Sequence, residues 1–270
     1  VSFWLRWALA VLALAAVAAA ITFGGRSRET LFVAAAASLS GVAPRLAEAY
    51  RQDSGSVVRF NFAGSNTLAR QIVEGARVDV FLSADEAQMD VVERAGRVVP
   101  GTRRPFAGNR LVVVVSARVE DAVQSPRDLA GARFARVAMG DPAAVPAGVY
   151  ARRWLEAAGV WNQVAPKVVP LPSSPSVLAA VNEGRAEVGI VYASDVAAHA
   201  APAPGVRVAL EVPRGDAPRI VYPAAAISGG RVEAARRFLA FLQTPAARQL
   251  FEHAGFLPPV EKGDRSGSSR

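Results

Sequence analysis

Apolar positions in this chain switch repeatedly between two spacings. Strand-like apolar runs end in small or hydroxyl residues and pass directly into stretches with apolar residues three and four apart, the mark of an amphipathic helix. Four such passages are LFVAAAASLSGVAPRLAEAY, VVRFNFAGSNTLARQIVEG, VAMGDPAAVPAGVYARRWLEAAG and KVVPLPSSPSVLAAVNEG, with junctions at Ala37-Ser38, Gly64-Ser65, Pro146-Ala147 and Ser173-Ser174. The pattern predicts strands at 31–36, 57–62, 79–83, 110–115, 134–139, 167–171 and 187–192, with others near 206–212 and 219–227. Helices are predicted at 40–53, 66–75, 85–95, 125–130, 147–159, 175–184, 194–199, 231–243 and 245–253. Such alternation belongs to the α/β class, with parallel sheets covered by helices on both faces. The unbroken run RLVVVV at 110–115 suits a strand buried on both sides.

The same pattern predicts two α/β lobes. Two of the junctions precede residue 110 and two follow it, and the strands at 110–115 and 219–227 are candidate crossings between lobes. Lobe one then comprises residues 30–109 with 222–258, and lobe two residues 110–221. Residues 259–270, ending EKGDRSGSSR, read as a loose polar tail.

Composition adds an address. Arg6 precedes the uncharged run WALAVLALAAVAAAITF, residues 7–23, so residues 1–29 read as a secretory signal or an uncleaved N-terminal anchor. Either implies export. The chain has no cysteine, which excludes disulfides, thiolate metal sites, cysteine nucleophiles and a lipid-anchored lipoprotein. With 51% hydrophobic residues in 270, a substantial core needs no such staples. The net charge is +8, but the arginines are scattered beside acids on helix faces, without a dense basic run interleaved with aromatics, so no nucleic-acid partner is expected.

The junctions carry the candidate chemistry. A helix start offers unpaired N–H donors and a partial positive charge, which together favour an anion. Ser38 and Ser65 are placed at helix N-caps; plain capping is one role for their hydroxyls, and donation to an oxyanion is another. Pro146 suits a first helical turn, and Ala147 and Gly148 lack the bulk to keep a ligand from their N–H groups. Asp141 is expected to organise its loop rather than bind an anion. Ser174, before Pro175, is placed as a cap whose hydroxyl or N–H faces the ligand. Tyr192 ends the strand EVGIVY, as a core residue with a wet tip or as a neutral donor. His199 and His253 have no partner at metal-ligand spacing. No GxSxG elbow or P-loop occurs, and Ser65 has no nearby base in AGSN, so no enzymatic activity is expected.

Those junctions, with VAAAASL, FAGSNTLARQIVEGARVDVFLSAD, GNRLVVVV, MGDPAAVPAGVYARRWLEAAGVW, AEVGIVYASD, VYPAAA and FLAFLQTPAARQLFEHAGF, resemble the periplasmic molybdate-binding proteins of ABC uptake systems from about residue 31 to 258. The resemblance implies the two-lobed periplasmic binding protein fold, each lobe a mostly parallel sheet flanked by helices, with the ligand in the cleft between them. It implies that molybdate or tungstate is held as an oxyanion, without direct metal ligands or a cofactor. The matching positions are the hydroxyls of Ser38 and Ser65, the N–H groups of Ala147 and Ser174, and the hydroxyl of Tyr192. PSSPS departs from the family's usual local sequence, where an aliphatic residue often stands at the position of Ser174. The implied partners are a membrane permease and its ATPase, served by a periplasmic monomer. Alternatives on the same fold are a binder of sulfate or another small oxyanion, and a membrane-tethered oxyanion sensor.

Overall fold

The computed structural model describes residues 29–119, 123–198, 205–213 and 215–259. The expected leader, apart from its last residue, His199 and the tail from residue 260 lie outside them. In chain order the elements are β1 (Thr30–Ala36), a 3-10 turn (Ala37–Leu39), α1 (Ala43–Ser54), β2 (Val57–Ala63), α2 (Ser65–Val73), β3 (Val80–Leu82), α3 (Glu86–Arg94) and β4 (Arg104–Asn109). There follow β5 (Leu111–Ser116), α4 (Pro126–Ala130), β6 (Val137–Gly140), α5 (Pro146–Ala157), α6 (Trp161–Val164), β7 (Val168–Leu171) and α7 (Ser174–Asn182). The chain ends with β8 (Val188–Tyr192), α8 (Ala193–Ala197), β9 (Val206–Glu211), β10 (Ile220–Ala226), α9 (Val232–Phe241) and α10 (Pro245–His253).

The strands form two five-stranded sheets, β2-β1-β3-β10-β4 and β7-β6-β8-β5-β9. Both are mixed rather than wholly parallel. In the first, β10 runs against β3 and β4; in the second, β5 runs against β8 and β9. The reversed strand is in each case the one that arrives from the other sheet. The chain leaves the first sheet at Asn109 and enters the second at Leu111, with Arg110 alone between them. It returns between Glu211 and Ile220. Hence β5 and β10 each lie within one sheet, and the crossings are the short segments before them.

Period-two alternation explains why the apolar strands are continuous. Along β5, Leu111, Val113 and Val115 enter the central core, while Val112 and Val114 face a second cluster under α7. In the first sheet, Val33 and Ala35 face the central core, and Ala34 faces Leu68 and Ile72 of α2. The strand β4 and the short helix α6 have no counterpart in the sequence pattern. In RPFAGN, proline, glycine and asparagine interrupt the alternation, and pairing with β10 supplies what local propensity lacks.

The four junctions therefore lie at the carboxyl ends of β1, β2, β6 and β7, on facing edges of the two sheets. In open α/β sheets that edge gathers ligands because helix starts converge there.

Candidate functional site

Each junction presents donors in a different way. At the first, β1 runs into a tight 3-10 turn rather than an α-helix, and Ser38 lies inside it. Its side chain caps nothing; Oγ instead lies 2.9 Å from the Tyr222 hydroxyl. At the second, Gly64 is the cap residue and Ser65 the first helical residue of α2. The Ala84 backbone N–H donates to Ser65 Oγ at 3.0 Å. Neither serine is thus an N-cap, contrary to the expectation from sequence. Glycine is needed before Ser65, because a Cβ on Gly64 would fall 2.8 Å from the Pro172 carbonyl oxygen.

At the third junction Pro146 opens α5 and lacks an N–H, so Ala147 carries the first free donor of that helix. Ala147 is fully buried. Gly148 has a different reason than ligand access: a Cβ there would lie 2.0 Å from the Gly140 carbonyl oxygen, so glycine permits α5 to press against the end of β6. Asp141 organises this loop as expected, its Oδ1 accepting from Ala143 N at 2.9 Å.

The fourth junction corrects the reading of Ser174. Ser173 is the cap, accepting from Ser176 N at 3.3 Å, and Ser174 is the first helical residue. Pro175 has no N–H and Ser176 N is capped, which leaves Ser174 N–H as the free donor of that first turn. The Ser174 hydroxyl is committed elsewhere. It donates to the Asp195 carboxylate and accepts from Tyr192 N at 3.2 Å. Tyr192 N also reaches Asp195 Oδ2 at 3.1 Å. Proximity to a carboxylate draws the hydroxyl proton away from any anion in the cleft.

Ser38, Ser65, Ala147, Ser174 and Tyr192 all line one small pocket, partly open to solvent. Its remaining wall is alanine, glycine, valine, proline and Ser173, with no charged side chain. The Tyr192 hydroxyl is buried without a hydrogen-bond partner, an arrangement native proteins avoid unless a ligand or water completes it. Burial pushes the Tyr192 phenol well above its ordinary range, reinforced by the neighbouring Tyr222. Tyr222 and Tyr150 are raised by burial as well. All three stay protonated at neutral pH and remain donors.

Four residues escaped the sequence reading. Tyr222 and Asn109 back Ser38; Asp195 holds Ser174; Asp85, buried next to the Ala84 that binds Ser65, caps α3 by accepting from Gln88 N at 2.9 Å. A buried polar residue inside an apolar strand, as in VYPAAA, is the signal that marks Tyr222. Of the two histidines, His253 ends α10 on the surface. Among the described residues no cluster of His, Cys, Asp or Glu is arranged to hold a metal ion.

The family model described as bacterial extracellular solute-binding protein matches residues 31–257. The molybdate-binding protein ModA of Escherichia coli strain K12 is 35% identical over 228 residues, covering 83% of this chain and 87% of the relative. The molybdate-binding protein ModA of Haemophilus influenzae is 31% identical over 242 residues, covering 87% and 92%. Among solved structures, the periplasmic molybdate-binding protein of Azotobacter vinelandii superposes with a TM-score of 0.76 at 24% identity, covering 85% of this chain and all of that one; it supports the fold.

Proposed function

The chain belongs to the family of bacterial extracellular solute-binding proteins, and we propose that it captures molybdate or tungstate outside the cytoplasm and hands the anion to an ABC importer. It acts as a carrier, not an enzyme. One observation carries the reading: an uncharged cavity where donors from both sheets converge, one of them a buried hydroxyl without a partner.

The physical case rests on donors alone. Stripping water from a dianion is costly. A hydrogen bond to a charged group returns about 1.5–3 kcal/mol, and several of them together, with helix-end dipoles, offset that cost. The hydroxyls of Ser38, Ser65 and Tyr192 and the N–H groups of Ala147 and Ser174 supply the set. Ser174 contributes only its N–H, because its hydroxyl serves Asp195. Without lysine or arginine the anion is held and still released. Spacing suited to molybdate fits the smaller sulfate poorly, and a wall of donors gives the proton of hydrogen phosphate no acceptor.

In this reading lobe one comprises residues 30–109 and 220–258, with the whole of β10, and lobe two the residues between them. The monomer closes on the anion and docks on a membrane permease driven by an ATPase. Titration calorimetry with molybdate, tungstate, sulfate and phosphate tests the proposal. Saturable binding of molybdate and tungstate, with sulfate and phosphate far weaker, is expected. No heat with molybdate, or tighter sulfate binding, would overturn it.

A further inference from the structure

Behind Ser38 lies a buried chain of hydrogen bonds whose direction can be worked out. Asn109 ends β4 at the crossing between sheets and is buried. Its Oδ1 accepts from the Arg110 backbone N–H at 2.9 Å. A backbone N–H can only donate, so this bond fixes which end of the amide is oxygen. The Nδ2 end must then face the other two neighbours, Tyr222 OH at 3.2 Å and Ser194 Oγ at 2.9 Å. With a proton arriving from Asn109, the Tyr222 oxygen acts as acceptor and directs its own proton to Ser38 Oγ, 2.9 Å away. Ser38 Oγ thus accepts, and its single proton is left for the cavity that it lines.

Resting on the oxyanion-binding reading above, we infer that Asn109 and Tyr222 are positioning residues that fix the Ser38 hydroxyl as an obligate donor to the bound anion. The relay runs Asn109 to Tyr222 to Ser38 to ligand, each bond polarising the next. Ser65 is set the same way from the other side, since Ala84 N–H occupies its oxygen. Ser174 is the contrast: a carboxylate takes its proton. Donor or non-donor status of the three serines follows from the group behind each, not from the serine itself. The second Nδ2 bond, to Ser194 on α8, anchors Asn109 to the opposite sheet's elements.

The test is a double-mutant cycle read by calorimetry with molybdate, using the full folded chain, with thermal unfolding of ligand-free protein as a check on folding. Tyr222→Phe keeps the ring packing and removes the relay hydroxyl; affinity should fall about tenfold, the size of one weakened bond to a charged acceptor. In a Ser38→Ala background the same change should alter affinity by less than about twofold, because no hydroxyl is left to orient. Equal affinity of wild type and Tyr222→Phe, or full losses that multiply across the two sites, would overturn the inference while leaving the proposed function intact. Should Tyr222→Phe fail to fold, Asn109→Ala carries the same cycle with the same expected coupling to Ser38. Wild type that binds neither molybdate nor tungstate would sink both readings together.

Discussion

At the residue scale, hydrogen-bond capacity decides what each cleft residue can do. The Tyr192 hydroxyl is buried and unpartnered within the protein. Tyr192→Phe should therefore weaken molybdate binding about 10- to 100-fold, the worth of one bond to a charged acceptor. Ligand-free stability should hold or rise slightly in thermal unfolding, since an unsatisfied buried group is removed. Ser174→Ala should show the reverse pattern. Its hydroxyl serves Asp195 and Tyr192 N, so removing it should lower stability by about 1–3 kcal/mol in denaturant unfolding. Molybdate affinity should stay within about threefold, because the N–H remains. Residue types were readable in advance: serines at helix starts and a tyrosine at a strand end suggested donors. Which serine donates its proton to the cleft was not readable, because Tyr222, Ala84 and Asp195 lie 184, 19 and 21 residues away from the serines they bind.

At the scale of elements, helix starts were found close to where the pattern placed them, because proline, serine and glycine have local reasons to sit there. Local signals did not distinguish a cap from a first helical residue: Ser65 and Ser174 moved by that margin, and Ser38 fell inside a 3-10 turn, two residues past its Ala36 cap. Close approach between elements was also hidden from local pattern. Gly41 follows the 3-10 turn, and a Cβ there would lie 2.3 Å from the Cβ of Ala198, just beyond α8. Those two elements belong to opposite sheets. Gly41→Ala should oppose closure with an overpacking cost of about 1–3 kcal/mol. Molybdate affinity should fall about 10-fold or more, with little change in ligand-free unfolding. Small-angle scattering with saturating ligand should show a more open particle than wild type. Unchanged affinity and an unchanged scattering profile would count against Gly41 as a closure contact.

At the scale of the whole molecule, a chain of net charge +8 surrounds a cavity lined by no charged side chain. Field and grip are thus separate. Added salt should slow association of molybdate by screening the surface field, while dissociation should change little. Stopped-flow kinetics at several ionic strengths would measure both rates; a dissociation rate that climbs steeply with salt would point to a charged ligand contact. The amino-acid sequence by itself determined the α/β class, the places where strands feed helices, and the supply of neutral donors. Those depend on neighbours a few residues apart, through side-chain periodicity and helix-start chemistry. Only the tertiary structure decided that one reversed strand enters each sheet from the other, that Arg110 alone separates β4 from β5, and which polar groups back each serine. The reason is that a hydroxyl is symmetric to local inspection. It becomes a donor or an acceptor only when a distant partner occupies its oxygen or takes its proton, and folding alone brings that partner within 3 Å or so.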